Sequence, residues 1–277
     1  MHRLVQVVSR WWIKSREGSN EKKQAALGHL ATIFNTDNWD SRVLWRSYLP
    51  HVLRAIQGDA GDGGWGLHEC QLGFWAGRCL EVEGRNREAV ELLEHVVAVR
   101  GRTLSEEHPD RLASQHVLAS AYKANGQVKE AVEMLEHVVA VRGRILSEEH
   151  PDRLASQHAL AIAYQANGQV KKAVELLEHV VVQGRTLSEE HPDRLASQHE
   201  LAIAYRANGQ VKEAVELLEH VVAVRGRTLS QEHPSRLASQ HVLASAYEAN
   251  GQVKKAVELL EHAVAVRERT LSEEDPD

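Results

Sequence analysis

The sequence has little cysteine, proline or glycine, and each shortage excludes a class of protein. Only 2 cysteines occur in 277 residues, and Cys70 and Cys79 lie nine positions apart in a stretch with helical character. At about 1.5 Å per residue they are separated by roughly 13 Å, whereas a disulfide needs Cα atoms within about 7 Å. We therefore expect free thiols and a cytoplasmic protein. With 18 Gly and 6 Pro, the chain is neither collagen-like nor a low-complexity linker.

An excess of positive charge and a long hydrophobic run are also missing. The chain has 33 Lys and Arg against 39 Asp and Glu, a net charge of −6, so we expect no nucleic-acid partner. The longest uncharged stretch near the start, residues 24–36, has 13 residues. A membrane-spanning helix needs about 20, so we expect no membrane partner.

Aromatic residues are concentrated near the start, and repeats follow them. All 6 Trp and both Phe precede residue 76. A segment beginning HPDRLASQH covers 108–149 and recurs almost unchanged at 150–190, 191–232 and 233–274, where the last copy begins HPSRLASQH, and a degenerate earlier copy covers 66–107. The copy at 150–190 is one residue short. A fixed period of about 42 residues predicts stacked supersecondary units over 66–274, preceded by a helical cap and linker region at 1–60.

Each repeat has the pattern of two helices. Pro151 suits a first helical position, and Asp152 complements the helix dipole. Asn167-Gly168 ends this first helix, because glycine readily adopts the left-handed cap conformation. Apolar stripes at helical spacing are predicted on both helices: Leu154, Leu160, Ala161 and Tyr164 on the first, then Val170, Ala173, Leu177 and Val180 on the second. A hairpin cannot bury such stripes alone, so the chain is predicted to be an all-α solenoid of five helix pairs.

The positions of Leu118, Ala119, Tyr122, Ala131 and Leu135, copied in every repeat, resemble the tetratricopeptide (TPR) pattern. The period and the order HPD…LA…Y…G…EA resemble the long TPRs of kinesin light chains and the TPR arrays that end many fungal STAND-type (NB-ARC) receptors. The resemblance implies a right-handed TPR α-solenoid with an N-terminal helical cap. It also implies a protein-interaction module that binds a peptide or protein ligand in a concave groove.

The start of the chain favours the receptor family. MHRLVQ at 1–6 resembles the MHD-type motif that closes the winged-helix part of NB-ARC proteins, and stretches 19–34 and 38–57 resemble the segment that links NB-ARC to TPRs. No G-x-x-x-x-G-K-[ST] motif occurs, so we expect a receptor's sensor part without its nucleotide-binding domain. The alternative is a kinesin-light-chain-like cargo adaptor. The expected N-terminal cover of the first repeat is supplied by Trp11, Trp12, Trp39 and Trp45.

Catalytic, cofactor and metal sites are not expected. Residues 61–66 match G-x-G-x-x-G, but a helical flank precedes them and no strand pattern surrounds them. His116, His158, His199 and His241 lie one per repeat, on helices expected about 8–10 Å apart. Zinc ligands lie about 2 Å from the ion, so neighbouring imidazoles are too far apart to share one. We therefore predict no enzyme, no cofactor and no metal.

Comparison of the repeats predicts the binding surface. Most first-helix differences fall at three positions per repeat, spaced three residues apart and therefore on one helix face of about 120°. The His that all four copies share lies in the same arc. The predicted groove residues are His116, Val117, Ser120, Lys123, His158, Ala159, Ile162, Gln165, His199, Glu200, Ile203, Arg206, His241, Val242, Ser245 and Glu248. Neutral drift at exposed positions is the alternative. Against it, the second-helix residues Glu133 and Glu136 remain Glu in all four copies.

Two features leave alternatives open. Residues 275–277, Asp-Pro-Asp, repeat the opening of another unit, which predicts either a truncated gene product or self-association through an uncapped end. Gly101, Gly143, Gly184 and Gly226 fall inside the second helices. They indicate either tolerated copies of one ancestral glycine or a close approach between helices.

Overall fold

The computed structural model describes residues 19–38, 41–57 and 65–274, and within these ranges the regular structure is helical, without strands. The α-helices are α1 (Ser19–Ile33), α2 (Arg42–Gln57), α3 (Leu67–Val82), α4 (Asn86–Thr103), α5 (Pro109–Ala124), α6 (Val128–Ile145), α7 (Pro151–Ala166), α8 (Val170–Gln183), α9 (Pro192–Ala207), α10 (Val211–Thr228), α11 (Pro234–Ala249) and α12 (Val253–Glu274). None of these helices is long and apolar enough to cross a bilayer. The predictions made for residues 1–6, Trp11, Trp12, Trp39, residues 61–64 and 275–277 fall outside the described residues.

The chain forms two compact units, residues 1–127 and 128–277. In the first unit α1 and α2 pack on α3, α3 packs on α4, and α4 packs on α5. In the second unit each helix from α6 to α12 packs on the next one in the sequence. The predicted all-α fold with consecutive TPR-like packing is confirmed.

The first helices α5, α7, α9 and α11 begin with the predicted proline and with a cap that the sequence did not reveal. Pro151 begins α7, and the Asp152 amide donates a hydrogen bond to Nδ1 of His150 at 3.1 Å. The equivalent bond recurs at His108, His191 and His233. Because an N-cap side chain satisfies an amide that the helix leaves unpaired, this His serves the fold.

First helices end as the Asn-Gly pair predicted. Gly168 has a φ of +75°, and the Gln169 amide donates to the Tyr164 carbonyl at 2.8 Å while the Gly168 amide donates to Gln165 at 3.0 Å. This pair of bonds is the Schellman motif, which turns the chain into the second helix.

The predicted apolar stripes form the core, except that Val170, at the start of its helix, is only half-buried. Leu154, Leu160, Ala161 and Tyr164 are buried in α7, as are Ala173, Leu177 and Val180 in α8. In the first unit, Trp45 is 1% exposed and its indole Nε1 donates to the Asn38 carbonyl at 3.0 Å. Trp45 therefore has the buried environment expected of a capping residue.

In three repeats a buried arginine, Arg100, Arg142 or Arg225, joins the second helix to the next first helix. Nη1 of Arg142 donates to the Asp152 carbonyl at 2.7 Å and to Ser156 Oγ at 3.3 Å. Nη1 of Arg225 makes the same bonds, to Ser235 at 2.9 Å and to Ser239 Oγ at 2.8 Å. These bonds offset the desolvation of the guanidinium, since buried charge is tolerated only when it is paired or hydrogen-bonded.

The one-residue deletion removes this junction from the short repeat. Gln183 stands where the other copies have arginine, and α8 has 14 residues against 18 in α6 and α10, followed by a 3₁₀ turn at Gly184–Thr186. Val182 is 52% exposed, whereas Val141 and Val224, which align with it in sequence when the gap is placed before Val182, are 1% exposed. The deletion thus costs one charged junction and one buried valine.

The second-helix glycines are not sites of close approach. A Cβ added to Gly101, Gly143, Gly184 or Gly226 would meet no atom within 4 Å among the described residues. Of the two alternatives, the close-approach one is wrong. The helices approach closely instead at Gly77 of α3, where an added Cβ would lie 2.5 Å from Leu93 Cγ.

Candidate functional site

The sixteen predicted groove residues are all described, and none of them is buried. They define what we call the first-helix surface. Fourteen are half-buried, while His241 and Glu248 are exposed. The four residues of α5 belong to the first compact unit, and the twelve residues of α7, α9 and α11 belong to the second.

The four histidines of this surface have different environments. His158 Nδ1 lies 3.2 Å from Ser197 Oγ of the next first helix, so this ring bridges two repeats. Burial lowers the pKa of His199 to about 4, and the nearby Arg225 cation acts in the same direction. His199 is therefore neutral at pH 7, whereas His241 lies exposed.

Glu200 is the variable residue with a visible electrostatic role. Burial lowers the pKa of the Arg225 guanidinium, and the Glu200 carboxylate opposes that shift. The counterparts of Glu200 in the other copies are Val117, Ala159 and Val242, so this charge is specific to one repeat.

In the first unit, two predicted groove residues converge on an acid. The Ser120 hydroxyl donates to Glu81 Oε1. Burial raises the pKa of Glu81, while the Ser120 hydrogen bond and the Lys123 charge lower it. Ser120, Lys123 and Glu81 form one polar cluster between α5 and α3.

Sequence reasoning missed the first repeat's share of this surface. Moving the variable positions back by 42 residues gives Trp75, Arg78 and Glu81, and moving the shared His back gives Phe74. The Arg78 guanidinium lies 4.9 Å from the centre of the Trp75 ring, and its Nη2 forms a 2.8 Å salt bridge with Asp37. The repeat period was the signal that could have found them. The first repeat therefore presents an aromatic and cationic version of the same face.

A second recurrent feature lies on the opposite side of the first helix. In α5, α7, α9 and α11, a tyrosine donates its hydroxyl to a glutamate on the preceding second helix, at 2.6–2.8 Å: Tyr122 to Glu94, Tyr164 to Glu136, Tyr205 to Glu178, and Tyr247 to Glu219. In the second unit, a cavity of 440–610 Å³ opens beside each of Tyr164, Tyr205 and Tyr247. We call these the tyrosine cavities.

The two cysteines are buried free thiols, as predicted. Burial raises the pKa of Cys70, and it raises the pKa of Cys79 to about 12. Thiolate is the reactive form, so both side chains behave as core residues at neutral pH. Among the described residues, no group of three or more His, Cys, Asp or Glu could hold a metal ion.

The sequence profile of the tetratricopeptide repeat family matches residues 74–144, 118–181 and 185–269, which together make up more than half of the chain. The chain belongs to the tetratricopeptide repeat family.

Solved structures give the same fold. A kinesin-light-chain-like protein from Podosopora anserina with nearly identical TPR-like repeats is 64% identical, with a TM-score of 0.62, over 72% of this chain and 94% of its own. A single-substitution variant of that protein is 61% identical, with a TM-score of 0.65, over 75% of this chain and 99% of its own. The Rap protein in complex with Competence and Sporulation Factor has a TM-score of 0.66 at 15% identity, over 80% of this chain and 58% of its own, a likeness in fold alone.

One curated relative is matched over a short part of its own length. A nucleotide-binding leucine-rich repeat (NLR)-like protein of Hyaloscypha variabilis is 30% identical over 118 residues, or 42% of this chain. The match spans 12% of that relative's length.

Proposed function

We propose that this chain is the ligand-recognition part of a STAND/NLR-like receptor of the cytoplasm, and that its first-helix surface binds a peptide or protein. TPR scaffolds are protein–protein interaction modules rather than catalysts. The observation that carries the proposal is that otherwise near-identical repeats differ in size and charge at positions that are accessible and not core, such as Glu200, Ile203 and Arg206. Such differences set specificity along a groove.

One observation in the structure favours the alternative of neutral drift. Glu136 and its copies accept a hydrogen bond from a tyrosine, so a structural role accounts for their constancy. Exposed Glu133 and its copies, for which no such bond to tyrosine is seen, still support selection over drift.

The test is an exchange between repeats. The variant Glu200→Val, Ile203→Ser, Arg206→Lys carries the residues of the 108–149 repeat, and peptides selected from a random display library against the wild-type chain are the probe. We expect at least tenfold weaker binding at nearly unchanged stability. The control is Lys171→Gln with Glu175→Gln, two exposed second-helix changes. Equal affinity of wild type and exchange variant, with loss in the control, would contradict the proposal.

A kinesin-light-chain-like cargo adaptor is the second candidate, favoured by the 64% identity to the Podosopora anserina protein. The coding sequence directly upstream distinguishes the two. An in-frame P-loop ATPase supports the receptor, and a heptad coiled coil supports the adaptor.

We also propose that the chain self-associates through α12. Val253, Val257, Leu260 and Val264 are 57%, 47%, 38% and 54% exposed. The inner counterparts of Val257 and Leu260, Val215 and Leu218, are 5% and 0% exposed because the next repeat covers them. Sedimentation velocity should show a concentration-dependent dimer that Val257→Glu with Leu260→Glu abolishes. A monomer at every concentration would refute the proposal.

A further inference from the structure

The three tyrosine cavities of the second unit each have a first-helix tyrosine in the wall but carry different charges. The Tyr205 and Tyr247 cavities lie between two successive second helices, whereas the Tyr164 cavity is lined by α7 and α8. In two of them, a lysine of the following second helix covers the ring. Lys172 Nζ lies 5.0 Å from the centre of the Tyr164 ring, and Lys255 Nζ lies 5.0 Å from that of Tyr247.

The Tyr205 cavity lacks this internal lysine. Glu213 stands at the position of Lys172 and Lys255. Burial and the hydrogen bond to Glu178 raise the pKa of Tyr205, and the nearby Glu213 charge acts in the same direction. The tyrosines that a lysine covers are the less exposed ones: Tyr164 and Tyr247 are 9% and 8% exposed, whereas Tyr205 is half-buried. This cavity is also the largest of the three, at 610 Å³ against 520 and 440 Å³.

The walls favour a long aliphatic chain that ends in a cation. Val181, Val182 and Leu217 give the cavity an apolar lining. Its acidic side chains are Glu178, Glu213 and Glu216, against one fixed cation, Arg185. A cation over a tyrosine face is attracted by the ring quadrupole, and the adjacent carboxylates add to this attraction.

We propose that the Tyr205 cavity is a docking site for a lysine side chain of a partner protein. The partner lysine takes the place that Lys172 and Lys255 occupy in the neighbouring cavities, with its ammonium over Tyr205 and beside Glu213. The site lies on the side of α9 opposite the first-helix surface, so the inference does not depend on ligand binding there.

The test uses the full chain and a defined probe, the peptide acetyl-Val-Lys-Val-amide, with acetyl-Val-norleucine-Val-amide as its uncharged match. The chain has 5 tyrosines, so ring-labelled tyrosine gives a simple NMR spectrum. We expect the lysine peptide to shift the Tyr205 ring signals, and the norleucine peptide to bind at least tenfold more weakly. Equal binding of both peptides, or equal shifts at all tyrosines, would overturn the proposal.

Two variants test the role of the lysine in both directions, one by adding it beside Tyr205 and one by removing it from Tyr164. Glu213→Lys supplies the internal lysine that both neighbouring repeats already tolerate, and it should weaken binding at least tenfold. Lys172→Glu uncovers Tyr164 and should create a second responding ring. Glu190→Lys, the same charge change in an exposed loop, is the control and should leave binding within twofold of wild type.

A second copy of this chain is the competing occupant. Sedimentation velocity distinguishes it from a different protein. Self-association that Glu213→Lys leaves unchanged supports the proposal, whereas a dimer that Glu213→Lys alone abolishes would overturn it.

Discussion

Repairing the short repeat should stabilise the chain by about 3 kcal/mol. Inserting Ala between Val181 and Val182 restores the sequence of the other copies up to the residue before Gln183. Gln183→Arg then restores the arginine of the junction. The insertion should return Val182 from 52% exposure to the 1% of Val141. Burying half of a valine side chain contributes about 1 kcal/mol to the free energy of unfolding.

The arginine should add about 2 kcal/mol. Arg142 and Arg225 each donate to a backbone carbonyl and to a buried serine hydroxyl. Hydrogen bonds that involve a charged group contribute about 1.5–3 kcal/mol each, and the desolvation of the guanidinium removes part of that gain. Ser197, now 8% exposed, should become as buried as Ser156 and Ser239 at 0%.

The assay is hydrogen exchange of α8 and α9 amides together with urea unfolding, because repeat arrays unfold locally as well as globally. A gain of about 3 kcal/mol slows local exchange about a hundredfold. Gln183→Arg without the insertion is the matched variant. It should gain less than about 0.5 kcal/mol, because Gln183 ends α8 before a 3₁₀ turn. Equal gains from Gln183→Arg with and without the insertion would refute the reasoning.

Two further predictions concern glycine and histidine. Gly143→Ala should raise the free energy of unfolding by about 1 kcal/mol, because the added Cβ meets open space within a helix. Gly126→Ala should lower it by about the same amount, because Gly126 has a φ of +84°. Urea unfolding of both variants checks the opposite signs. His199 has a pKa of about 4 against an ordinary 6.5, so folding favours its neutral form. Its contribution to the free energy of unfolding should be fully present above pH 6.5 and should be lost as the pH falls towards 4. His199→Gln should flatten that part of the stability curve, and an NMR titration of the His199 ring that gives a pKa near 6.5 would contradict the assignment.

The repeat period made the helices predictable, because one interpretation of HPD and Asn-Gly applies to every copy. Pro151 and Gly168 act in the structure as their local chemistry required. The His150 cap was missed, since histidine is an uncommon N-cap and its role depends on which ring nitrogen faces the helix. The buried Arg142 was missed for a related reason. A charged residue beside apolar positions is expected to be exposed. Its hydrogen-bond partners lie on the next first helix and are seen only in the folded structure.

The sequence predicted which first-helix positions lie outside the core, while the binding role of that surface stays a prediction. Positions that differ between copies were correctly placed outside the core, because helical spacing assigns a face directly. The Tyr205 cavity could not be inferred from the pattern, since it depends on two second helices and the first helix between them. Its distinguishing residue, Glu213, differs from Lys172 and Lys255 in the printed sequence, but the meaning of that difference appears only when the lysines are seen over tyrosine rings.

The deletion links the junction that lacks an arginine to the largest of the three tyrosine cavities. Val222 and Ala223 line the Tyr247 cavity, and Val181 and Val182 line the Tyr205 cavity at the matching places, so the lost residue has put a valine where the other repeat has an alanine. The same event left Gln183 at the arginine position and Val182 exposed. Inserting Ala before Val182 should therefore stabilise α8 and also remove apolar surface from the Tyr205 cavity. Stability and lysine binding should change in opposite directions in this variant, as expected where a local loss of packing is retained because it forms a binding surface.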